Sequence, residues 1–303
     1  MVKSLSILIP VYNNECTALV RCLQQQCACI DGLCFEILVA DDGSTNHDAI
    51  CSNRSLNLLP GCRFIERAVN VGRAAIRNFL AQEAKGDFLL FLDSDVRIVG
   101  NDFILNYVAC KHYKVVLGGY VLKPDNVNEV KGNLRYRYEL SCLKKNHVSN
   151  RQLSPYKAFR TCNFMIERNL MLKLRFDERI TRYGYEDVLF GKQLQAEGVQ
   201  VLHIDNVVAL HKFDTNAVFL RKTNEAMHTL HDMADAMRGY TGIQSLAERL
   251  NRWHVACLIL FLYAPLSHYV QRNLMGTNPS VRLFHIYRLV TFLQYSCRLV
   301  VHF

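Results

Sequence analysis

Short apolar runs alternate with amphipathic stretches over the first two hundred residues, the pattern of βαβ units, and this predicts a largely parallel sheet covered by helices. Residues 5–9 (LSILI) read as the first strand, stopped at Pro10, and residues 17–26 as a helix with Leu19 and Leu23 at helical spacing. Residues 35–40 (FEILVA) form the second strand and run straight into Asp41, Asp42, Gly43, Ser44 and Thr45. In open α/β sheets such a strand end is where ligands bind. Residues 63–66 make a short third strand. The helix after Asn70-Val71-Gly72 gathers Ala75, Ile76, Phe79 and Leu80 on one face, with Asn70 as its expected cap. Gly86 breaks that helix, and residues 87–92 (DFLLFL) form a buried strand that again ends in acids, Asp93-Ser94-Asp95.

Beyond this point the pattern turns to α+β. Residues 114–119 read as a strand, and the polar residues 143–156 (LKKNHVSNRQLSPY) as a surface loop of the kind that acts as a lid. Residues 158–166 look extended and 169–174 helical. Tyr183-Gly184-Tyr185-Glu186-Asp187 opens another helix, with Val188, Leu189 and Leu194 on its buried face. Residues 200–204 and 207–210 are strands that deliver His211, and from Ala217 onward the pattern is mainly helical, without repeats. The expected division is a catalytic domain over 1–235 and a helical C-terminal extension over 236–303.

Half the residues are apolar and 21% charged, the composition of a folded globular protein. A formal charge of +9 suits polyanions, anionic lipid or negatively charged small substrates without choosing among them. Dispersed basic residues and the lack of a recognised module argue against nucleic acid. The N-terminus, MVKSLSILIPVYNN, does not read as a secretory signal, so the expected location is the cytoplasm and the twelve cysteines are expected to be reduced thiols. The cluster Cys22, Cys27, Cys29 and Cys34 lacks the paired C-x-x-C spacing of a zinc site. The longest apolar run, residues 255–264 (VACLILFLYA), is too short to span a bilayer. Arg249, Arg252, Arg272, Arg282, Arg288 and Arg298 punctuate segments rich in Leu, Phe, Tyr and Val. Amphipathic helices on the inner membrane face fit that pattern, as does a helical cap on the catalytic domain or on a dimer partner.

Asp93-Ser94-Asp95 on a tight turn can bind a hard divalent cation and leave positions open for phosphate oxygens. A plain turn role fits too. The string is also similar to the aspartate nucleophile motif of haloacid-dehalogenase-type phosphatases, with Asp93 as nucleophile, although that motif ends the first strand of its domain and this one about the fourth. A non-catalytic membrane-surface protein with a degenerate fold is the third reading.

Pro10-Val11-Tyr12-Asn13, Asp41-Asp42-Gly43-Ser44, Asn70-Val71-Gly72 with Arg77-Asn78, Asp93-Ser94-Asp95 and Glu186-Asp187 follow one another in order. In this the chain resembles family 2 glycosyltransferases over about residues 4–215. The resemblance implies a GT-A fold, α/β with a mostly parallel central sheet. It also implies an inverting transfer of sugar from a nucleotide-diphosphate donor, UDP-linked by family habit, to the hydroxyl of a carbohydrate or lipid-linked acceptor. Cell-surface polysaccharide or glycoconjugate synthesis is the implied setting. By the same resemblance Asp42 or Asp41 reads the base, Pro10 and Tyr12 pack around it, and Arg77 lies near the nucleotide. Asp93 faces ribose, sugar or a metal-bound water, Asp95 holds Mn²⁺ or Mg²⁺ with His211 as a second ligand, and Asp187 is the general base beside Glu186, with those two roles exchangeable. Cys162 in Thr161-Cys162-Asn163, and Tyr183-Gly184-Tyr185 without a tryptophan, depart from the commonest pattern.

Overall fold

The computed structural model describes residues 4–298, the side chains of Cys297 and Arg298 excepted, so Arg298 as a surface arginine and residues 299–303 of the expected extension lie outside the described residues. Along the chain run β1 (Ser4–Val11), α1 (Thr17–Ala28), β2 (Cys34–Asp42), α2 (His47–Arg54), β3 (Cys62–Arg67), α3 (Arg73–Glu83), β4 (Phe88–Leu92), β5 (Val96–Ile98), α4 (Phe103–Ala109), β6 (Val115–Leu117) and β7 (Tyr120–Leu122). There follow α5 (Val127–Val130), α6 (Leu134–Asn146), α7 (Val148–Leu153), β8 (Asn163–Glu167), α8 (Arg168–Leu174), α9 (Glu186–Ala196), β9 (Val201–His203) and β10 (Val208–Leu210). The chain closes with α10 (Asn216–Asp232), α11 (Gly242–Arg252), α12 (Ala256–Tyr263), α13 (Ser267–Met275) and α14 (Val281–Arg298).

The chain forms two compact units, the first from Met1–Lys123, Lys144–Thr181 and Glu186–Lys212. Its seven-stranded sheet has the order β3-β2-β1-β4-β8-β6-β9, parallel except for β8, which runs antiparallel to both β4 and β6. Leu5, Ile7, Leu8 and Ile9 of β1 are all buried, as expected of a strand covered on both faces, where apolar residues run on without alternation. The strand passes through Pro10 instead of stopping there. Its ladder to β4 ends at Leu8, so Pro10 lies where β1 is paired on one side only. A second sheet, β5-β10-β7, lies in the same unit.

Three local expectations are corrected. Residues 143–156 are not a loop: the end of α6 and all of α7 occupy them. Of α6's residues only Leu134 is buried, so its apolar period is nearly invisible, while α7 is anchored by a buried arginine, Arg151. That side chain donates to the carbonyls of Asn146, Leu117, Gly118 and Ile204, a tie no hydropathy pattern contains. Residues 158–162 are not extended, and β8 begins only at Asn163. The cap position of α3 is held by Gly72, at φ 89°, not by Asn70.

The second unit, Pro124–Leu143, Arg182–Tyr185 and Phe213–Phe303, is mainly helical over its described residues. Leu134, Leu220, Val270, Leu274 and Phe284 form its core, so the helical part reaches back well before residue 236. Among the described residues no single helix is long and apolar enough to cross a membrane. The described cysteines are in no disulfide; Cys27 is buried as a small apolar residue, and burial pushes its thiol up to about 12.

Candidate functional site

The acidic residues of interest collect where β1, β2 and β4 end. After β2, the N–H and hydroxyl of Ser44 both donate to Asp41, at 2.8 and 2.6 Å, which closes the turn. Asp42 behaves differently. Its two carboxylate oxygens accept the N–H groups of Val71 and Gly72, each at 3.0 Å, and so fix the entry to α3. Burial raises the Asp42 pKa; those N–H groups and Arg67 only partly offset it. Gly43 between them has φ 71°, and a Cβ there would lie 2.6 Å from the Asn70 nitrogen. Asn13, at φ 53°, ties the β1 end to this turn, its side-chain oxygen accepting from Thr45 and Asn46 N–H. Pro10 is half-buried and Tyr12 is 52% exposed, so Tyr12 is not a core residue.

At the end of β4 two arginines and two carboxylates interlock. Arg77 is 1% exposed, which excludes a solvated helix charge; it donates to Asp93 Oδ1 at 2.6 Å and to the Arg73 carbonyl at 3.0 Å. Arg73 donates to Glu186 Oε1 at 2.7 Å and lies 3.6 Å from Asp93 Oδ2. Arg73 and Arg77, one turn apart on α3, thus bracket Asp93 and Glu186. Burial alone would push the Glu186 carboxyl up, but the two guanidinium charges outweigh it and hold Glu186 below the usual carboxylate range. Asp187 goes the other way: burial, reinforced by the Glu186 charge, raises it against the pull of Arg160, whose Nη1 is 3.7 Å away. The Asp187 side chain keeps 20% of its surface, and its Oδ1 accepts the Val188 N–H.

Asn14 pins the triplet through the Ser94 carbonyl at 2.8 Å, and Asp93 N–H donates to the Cys162 carbonyl, bringing the atypical Thr161-Cys162-Asn163 stretch against the β4 end. In the antiparallel ladder of β5 with β10, Val96 pairs with Leu210 as the last pair, and Asp95 and His211 are the residues next to that pair in the chain, though 116 positions apart by number. No group of three His, Cys, Asp or Glu side chains among the described residues makes a closed metal cage. An open site suits the donor set, since a hard dication is commonly held by one or two carboxylates together with substrate phosphates, and an added imidazole favours Mn²⁺. Asp95 and His211 are the pair that could hold such an ion.

All ten residues expected at the site belong to the first unit. The structure adds Arg73, Arg160 and Asn14 to them. Arg73 had one sequence signal, a cation four positions before Arg77 on the same helix face.

Residues 6–175, more than half the chain, match the sequence profile of glycosyl transferase family 2. An uncharacterised glycosyltransferase of Haemophilus influenzae is 32% identical over 178 residues, 57% of this chain and 65% of that protein. Chondroitin synthase of Pasteurella multocida is 26% identical over 243 residues, 69% of this chain and 24% of that one. The chain thus spans less than two thirds of the length of either relative. The fold is shared with mannosyltransferase PcManGT of Pyrobaculum calidifontis, solved with GDP-Man and Mn²⁺, at TM-score 0.56 and 16% identity over 98% of this chain and 86% of that one. It is shared also with S. aureus TarS 1-349 in complex with UDP-GlcNAc, at TM-score 0.52 and 18% identity over 96% and 89%. The profile match favours the transferase over the phosphatase reading. By this profile match and its mostly parallel central sheet, the chain belongs to glycosyl transferase family 2 and has the GT-A fold.

Proposed function

We propose that the first unit transfers a sugar from a UDP-linked donor to the hydroxyl of a carbohydrate or lipid-linked acceptor, in one displacement that inverts the anomeric carbon. Cell-surface polysaccharide or glycoconjugate synthesis is the proposed setting. The observation that carries this reading is the separation of two adjacent carboxylates: Glu186 is enclosed and neutralised by Arg73, whereas Asp187 keeps an accessible edge and a raised pKa. A carboxylate of that kind is suited to take the acceptor proton while the hydroxyl oxygen attacks and the nucleoside diphosphate departs. Asp187 is thus the base, and Glu186 a positioning residue that acts through Arg73. The UDP-GlcNAc complex of TarS supports a uridine donor, and the chondroitin synthase relative supports a polysaccharide product.

Asp41 is committed to Ser44, which leaves Asp42 to read the base; each of its oxygens holds one N–H and has a second lone pair for a uracil N–H. Tyr12, half exposed beside Pro10, offers an aromatic face to the same ring. Asp93, held by Arg77 and Arg73, faces the ribose or donor sugar. An Mn²⁺ or Mg²⁺ ion at Asp95 and His211 would supply charge neutralisation for the leaving diphosphate. The test is Asp187→Asn. Transfer falls by about 10²–10⁴-fold while UDP binding is kept; transfer at the wild-type rate would sink the assignment.

A further inference from the structure

In the second unit, the stretch from α12 through α13 packs by one face only. Val270 and Leu274 are in the core with Leu134, Leu220 and Phe284. Leu258, Leu262, Leu266 and Tyr269, at helical spacing with Phe261 beside them, are between 55% and 75% exposed. An ordinary surface helix turns polar residues outward; α12 is apolar all round, and α13 carries the stripe on through Tyr269 beside the exposed His268, Gln271 and Arg272. The outward stripe is framed by exposed Arg249 and Arg252 on one side in sequence and Arg272 and Arg282 on the other. After Glu248 the chain contains no Asp or Glu at all.

We propose that α12 and α13 lie in the surface of an anionic phospholipid bilayer, their apolar stripe in the headgroup–acyl boundary and the flanking arginines on lipid phosphates. Charge selects this occupant. A second copy placed symmetrically on the stripe would set Arg252, Arg272 and Arg282 near their own counterparts, with no carboxylate after Glu248 in the chain to offset them, a costly arrangement. No described single helix meets the length and hydropathy of a span; Gly242–Arg252 and Ala256–Met275 reach it only as a pair, bent by 105°, and the arginines at their edges suit a helix that lies in the interface plane.

Trp253, the only tryptophan of the chain, sits between α11 and α12 and is 67% exposed, so it reports directly on the surface in question. With the full chain and phosphatidylglycerol-containing vesicles, its emission should shift to the blue and be quenched by brominated acyl chains, less so at high salt. Vesicles of phosphatidylcholine alone should leave it unchanged. Replacing Phe261 and Leu262 together by serine, both exposed, should weaken vesicle binding about tenfold or more, with the melting temperature and the rate on soluble substrates unaltered. Arg252→Gln and Arg272→Gln should each cost about fivefold. Emission indifferent to anionic vesicles overturns the proposal, as does equal binding to neutral ones. A blue shift that grows with protein concentration in vesicle-free buffer overturns it too, by assigning the stripe to self-association.

Discussion

Glu186 and Asp187 are neighbours in sequence, yet their carboxyls are driven in opposite directions, and the cause lies in residues far away in the chain. Two guanidiniums from α3 hold Glu186 ionised, while burial and the adjacent Glu186 charge raise Asp187. A base works in its deprotonated form, so activity is retained above the Asp187 pKa and lost as pH falls through it. The acid limb of kcat/KM should therefore have unit slope and a midpoint above the ordinary aspartate value of about 4. A limb at or below that value would contradict the assignment. Arg77 tests the network beneath. Arg77→Met leaves Asp93 and Glu186 to Arg73 alone, and urea unfolding should show a loss of about 3–5 kcal/mol; an unmoved midpoint would mean that the pairs contribute nothing. Little of this was legible beforehand. Arg77 was tied to the nucleotide by motif, but its burial depends on partners at positions 93 and 186 that no local pattern names.

At the scale of elements, the strands were legible because burial on both faces writes them as continuous apolar runs, and the acids at their ends were conspicuous as abrupt changes of polarity. Helices α6 and α7 were not, since their inward anchors are one leucine and one arginine. The cap of α3 was misplaced for a related reason: Asp42, from another element, holds the N–H groups of Val71 and Gly72 just ahead of the helix and fixes the entry there, so the cap position falls on a glycine with positive φ. Gly43 is the point where the β2 turn and this loop meet. Gly43→Ala should cost more than about 1 kcal/mol and weaken UDP binding, because a Cβ there displaces the backbone that Asp42 holds. Unchanged stability with unchanged nucleotide affinity would show that the close approach has no consequence. The ladder of β5 with β10 ends on Val96 and Leu210, the neighbours in sequence of Asp95 and His211, and only the register, not the sequence interval, contains that information.

For the molecule as a whole, the sequence places a helical region at the end of the chain, but not its extent. Leu134 and Leu220 join Phe284 in one core across about 150 positions, so the unit is discontinuous, and a linear reading divides the chain at a single point. Charge is likewise uneven: the surplus of +9 includes a C-terminal stretch with arginines and no acids, whereas the first unit sets its cations against carboxylates. The family is settled by the profile match, and what remains for experiment is the use this chain makes of its site. Thermal unfolding with UDP and Mn²⁺ tests that most directly. The two together should raise the melting temperature, neither alone should do so to the same extent, and Asp95→Ala should abolish the joint effect. A wild-type chain that is not stabilised by UDP, or that is stabilised equally in the presence of a chelator, would contradict the proposed metal-assisted nucleotide-sugar site.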